Sequence, residues 1–60
     1  MISEWDRQHM DEIMGGHGDW FGAQLIRLFA KADRDNFALL GLSFPSYAEA
    51  IQQWRDESDG

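Results

Sequence analysis

The sequence predicts an all-α fold, a small compact bundle of three to four short helices, and three observations carry that reading. Apolar residues recur at three-and-four spacing, the period of a helix packed on a core. Residues suited to helix caps precede these runs and glycines follow them. The chain has only 60 residues and no cysteine, so a single core without disulfides or a thiolate zinc site must hold it. A chain this short buries roughly 60% of its unfolded surface. The three Trp, four Phe and one Tyr give each helix a large apolar anchor.

The first helix is expected over about residues 3–14. Ser3 is a good N-cap, and Glu4 and Asp6 suit the positive end of the helix dipole. Helical spacing places Ile2, Trp5, His9 and Ile13 on one stripe, with Met10 and Met14 beside it. Gly15-Gly16-His17-Gly18 then forms a glycine break over 15–18. The rest, about 19–56, is read as a helical core. Asp19 is the expected cap of the second helix, whose inner face reads Phe21, Leu25, Leu28, Phe29 and Ala32. Gln24, Arg27, Lys31 and Arg34 fall on the opposite side, and Trp20 and Ile26 lie off the inner arc.

Asp33 or Asp35 can cap a third helix through Phe37-Ala38-Leu39-Leu40-Gly41-Leu42, which is apolar on every side and therefore expected at the centre of the packing. Phe44 precedes a proline and is the expected junction, with Pro45 opening the fourth helix. Tyr47, Ala50, Ile51 and Trp54 make its seam, and an acidic tail is expected to fray over 57–60. Leu28, Phe29, Leu39, Leu40 and Trp54 are the residues expected to be largely buried.

The net charge of −6 opposes direct binding to nucleic acid or to an anionic membrane. No apolar run approaches a membrane span, and the opening Met1-Ile2-Ser3-Glu4-Trp5-Asp6 lacks the regions of a signal peptide, so a cytoplasmic location is expected. His9 and His17 with Asp11, Glu12 and Asp19 could offer imidazole and carboxylate ligands. They show no fixed pairing such as HExxH, so neither metal nor cofactor is expected. Ser3, Ser43, Ser46 and Ser58 sit in caps, turns or the tail, with no nucleophile elbow, and no catalytic residue is expected.

The pattern Gly18-Asp19-Trp20-Phe21, Gln24-Leu25-Ile26-Arg27-Leu28, Ala30-Lys31-Ala32-Asp33, Asn36, Leu39, Phe44-Pro45, Ala50 and Trp54 resembles a family of very short proteins found in phages and prophages. It spans about two thirds of the chain and leaves out the first helix. The resemblance implies a phage setting, in a bacterial host cell, and no particular activity.

Two function classes follow. In the first, carboxylates such as Glu4, Asp11 and Glu12 imitate nucleic-acid phosphates and occupy the basic site of a host nucleic-acid-binding protein. That is an inhibitory binding protein of phage type, with an anti-CRISPR as its most concrete version. The second is a structural or regulatory phage protein acting through dimerisation or protein–protein contact. For it the contact patch is Trp20 and Gln24 beside the basic residues Arg27 and Lys31, an aromatic anchor ringed by polar groups.

Overall fold

The computed structural model describes residues 1–59. It is 78% helical and contains five helices in one globule. They are α1 (Glu4–Gln8), α2 (Met10–Met14), α3 (Phe21–Lys31), α4 (Arg34–Ser43) and α5 (Pro45–Asp59). The expected all-α bundle is present. Its strongest pairings set α3 on α2 and α5, and α4 on α5.

The single N-terminal helix expected over 3–14 is instead two, bent at His9. Ser3 caps α1 as anticipated, its side chain accepting the Asp6 N–H. At His9 the backbone N–H is shared between the carbonyls of Trp5 and Asp6. The imidazole stacks on the Trp5 ring at 3.7 Å, and its Nδ1 lies 2.6 Å from the Trp5 carbonyl oxygen. A carbonyl only accepts, so Nδ1 carries the proton there. These tightened bonds end α1 and let α2 start in a new direction.

The buried stripe of these two helices is Ile2, Asp6, Met10 and Ile13; Ile2 and Ile13 are as expected, while Asp6 and Met10 take the inward places expected of Trp5 and His9. A carboxylate therefore faces inward. Asp6 accepts the indole N–H of Trp20 at 3.2 and 3.3 Å. Asp19 does not cap α3. Trp20 is the capping residue and supplies no side-chain bond, so the Asp6 carboxylate beside Gly22, in the first turn of α3, supplies the negative charge that a helix N-terminus favours. The approach is close: a methyl on Gly22 would lie 2.5 Å from Asp6 Oδ2 and 3.2 Å from Tyr47 Oη.

That crowding acts on Tyr47. Burial first, and the Asp6 carboxylate second, push its hydroxyl above the ordinary 10.0, because both penalise the phenolate. A raised pKa in the folded state stabilises the fold fully below pH 10 and loses that contribution as pH climbs through the raised value. Tyr47 is the only tyrosine, so the phenolate absorbance reads it alone. Its titration midpoint should lie above 10.0 in the folded protein and return to that value in denaturant. In Tyr47→Phe the alkaline fall of the melting temperature should shrink. An ordinary midpoint in the folded chain would remove this account.

The core comprises Ile2, Met10, Ile13, Ala23, Leu25, Ile26, Phe29, Tyr47, Ala50 and Ile51. Of the five residues expected to be buried, only Phe29 is fully so. Leu40 and Trp54 are half-buried, and Leu28 and Leu39 are exposed. The inner face of α3 is Gly22, Ala23, Leu25, Ile26 and Phe29, a rotation that brings the small residues against Asp6 and Tyr47 and turns Phe21 and Leu28 outward. Helix α4, expected at the centre, has no buried residue. Asp33, rather than Asp35, caps it, accepting the Asn36 N–H at 2.8 Å.

Phe44 is the junction, and Pro45 opens α5 as expected. Helix α5 continues through Asp56, Glu57 and Ser58 to Asp59, so the expected fraying over 57–59 is replaced by helix. Gly60 lies outside the described residues. Two long-range bonds fasten the N-terminal helices to α5: the Ile2 N–H to Ser46 Oγ at 2.9 Å, and the Trp54 indole N–H to Asp11 Oδ1 at 2.7 Å.

Candidate protein-interaction face

The outward rotation of α3 leaves large apolar side chains in water. Phe21 is 68% exposed, Leu28 43%, Leu39 62% and Leu42 81%. They lie on α3 and α4, both of which lean on α5. The cleft between them is a groove of about 580 Å³ lined by Leu28, Leu39, Leu40 and Phe44, with Lys31, Asp33 and Asn36 as polar members. A second hollow of about 440 Å³ runs along α3 and is lined by Phe21, Gln24, Leu25, Arg27, Leu28 and Lys31. Leu28 and Lys31 belong to both. The Phe21 and Phe44 rings, 6.1 Å apart, connect the face to the interior. Beyond them Phe44 meets Tyr47, and Tyr47 stacks on the buried Phe29.

The residues read from the sequence as partner-binding divide into three groups. Gln24 and Lys31 line the hollows just described. Arg27 also touches the rim, yet its guanidinium turns away from the solvated stripe. It donates to the carbonyl oxygens of Ile13, His17 and Gly18, at 3.0 and 2.9 Å for the first two. Its fork thus closes the glycine break, where Gly16 and Gly18 take φ of +110° and +95°, adding a second donor at the Ile13 carbonyl, which also accepts the Gly16 N–H, and supplying one to the carbonyls of His17 and Gly18. Gln24 donates to the Asp19 carbonyl in the same loop. Trp20 spends its N–H on Asp6, and its ring meets those of Trp5 and His17 edge-on at 5.5 and 5.8 Å.

The acidic candidates are spread over α1 and α2. Glu4 accepts from Gln8 at 3.1 Å, Asp11 is held by Trp54, and Glu12 is exposed. Among the described residues no three His, Asp or Glu side chains are placed to hold a metal ion. No helix there is long and apolar enough to cross a membrane.

Phe21, Leu28, Leu39 and Leu42 were missed as surface residues. Their signal was present: the stretch Phe37–Leu42 of α4 is apolar on every side while the chain supplies too few helices to surround it. Compared with protein-family models, curated proteins and solved structures, the chain shows no significant match.

Proposed function

We propose that this chain is a small binding protein without chemistry of its own, and that it acts by protein–protein contact through the apolar face of α3 and α4. The observation that carries the reading is the exposure of Phe21, Leu28 and Leu39 around two adjoining hollows, with Leu42 exposed beside Leu39, three residues on along α4. Taking about 200 Å² for a large side chain, their exposed fractions come to about 500 Å². That is close to one eighth of the 4164 Å² surface. Patches of this size on small proteins mark interaction sites. The phage-type resemblance supplies the setting, a bacterial host cytoplasm, and the role is structural or regulatory.

The acidic-occupant reading keeps the net charge of −6 in its support. An inhibitor of a basic nucleic-acid-binding site, an anti-CRISPR among them, would use Glu4, Asp11 and Glu12 and would lose affinity as salt rises. Two of these three carboxylates are engaged within the chain, so the apolar face ranks first.

A photoreactive phenylalanine analogue placed at Leu42, and separately at Glu12, tests the choice in producing cells. The apolar-face reading expects covalent adducts from position 42 and none from 12. Adducts from 12 alone, formed less as salt is raised in lysate, would instead support the acidic surface.

A further inference from the structure

We infer that the occupant of the α3–α4 face is a second copy of this chain, so that two copies pair about a two-fold axis and complete the core that one copy leaves open. The inference rests on the contact reading above and deepens it by naming the partner.

Three observations lead to it. The stretch Phe37–Leu42 of α4 is apolar on every side, the pattern of a helix enclosed by others, yet none of its residues is fully buried and only Phe37 and Leu40 lean on the core. Within the chain it packs chiefly on α5. Only material from outside can cover Leu39 and Leu42.

The area also suits a second copy. A stable contact of standard size takes about 800 Å² from each partner, which is about one fifth of the 4164 Å² surface of this chain. The four exposed apolar side chains supply about 500 Å² of it, and the polar lining of the two hollows, Gln24, Lys31, Asp33, Asn36 and Ser43, supplies the rim.

Charge permits the pairing on this face. The two hollows hold Arg27, Lys31 and Asp33 as their only charged residues; the Arg27 guanidinium is held in the glycine loop, so Lys31 and Asp33 leave the face close to neutral in a chain of −6. In a two-fold contact each residue i that meets j is matched by j meeting i. A rim with both Lys31 and Asp33 can therefore pair Lys31 of one copy with Asp33 of the other, twice. The acidic surplus stays on α1, α2 and α5.

Sedimentation of the purified full chain tests the pairing. At about 100 µM, well above a micromolar dissociation constant, the mass should be twice the 6.9 kDa of one chain. Because both copies are acidic, screening should tighten the pair between 0.05 and about 1 M NaCl, where the Debye length falls to about 3 Å. Leu42→Lys and Leu39→Lys should each raise the dissociation constant at least 100-fold. Their helical circular dichroism should stay unchanged, since both side chains are mostly in water. Glu12→Lys should leave the pair intact.

A chain that stays monomeric at every concentration and salt overturns the pairing. If position 42 nevertheless forms adducts with a different protein, the face remains a contact site and only its occupant changes. If it forms none, both readings fall together.

Discussion

Phe29→Ala is expected to lower the free energy of unfolding by about 3–5 kcal/mol. Phe29 is fully buried, meets Phe37 edge-on at 5.2 Å and stacks with Tyr47 at 6.5 Å, so removing its ring empties the junction of α3, α4 and α5. At about 0.05–0.15 kcal/mol per residue a domain of this length has only about 3–9 kcal/mol in total. The variant should therefore be largely unfolded at room temperature. Urea titration followed by circular dichroism, at concentrations below pairing, measures it. A cooperative transition with the parent's midpoint would mean that the core is not organised around this ring. Phe29→Leu, which keeps most of the volume, should fold.

Arg27→Met should cost on the order of 2 kcal/mol. The charge-assisted bonds to Ile13, His17 and Gly18 carry about 1.5–3 kcal/mol each when fully made, and the partial exposure of Arg27 lets water replace much of that. The loss is local. Amide hydrogen exchange across Gly15–Gly18 should accelerate more than exchange in α5. Arg27→Lys should recover only part of the protection, since an ammonium group cannot span three carbonyls as the planar fork does. Equal exchange in all three proteins would show that the loop is held by something else.

The class of fold, the glycine break, the Ser3 cap, the Phe44–Pro45 junction and the burial of Phe29 were all legible in the sequence. Each is a local signal. What was not legible was rotation about the helix axes. Asp6 occupies an interior position because Trp20 can donate to it, and a hydropathy pattern cannot represent a carboxylate as an inward residue. On α3 the arc from Phe21 to Ala32 is broader than one neighbour can cover. The close approach of Gly22 to Asp6 and Tyr47 decides which half is enclosed. Arg27 read as surface charge for the same reason, since its three acceptors are backbone atoms 9 to 14 residues away. Of the residues lining the hollow along α3, Lys31 and Gln24 were placed on the outer side of the helix from spacing. Phe21, Leu28, Leu39 and Leu42 were assigned to the core and are exposed instead.

Glycines at two places show that bulk and handedness are separate constraints on this chain. At Gly22 the backbone is ordinary helix and the obstacle to a methyl is volume, set by Asp6 and Tyr47. At Gly16 nothing lies within 4 Å of where a methyl would sit, and the obstacle is the sign of φ alone. A mirror-image residue meets no such obstacle, because positive φ is as natural to a D-amino acid as negative φ is to an L one. In the turn joining α2 to α3, Gly16 is thus a chiral selection point that excludes side chains by symmetry alone, whereas at Gly18 the Trp20 ring adds crowding to the same positive φ.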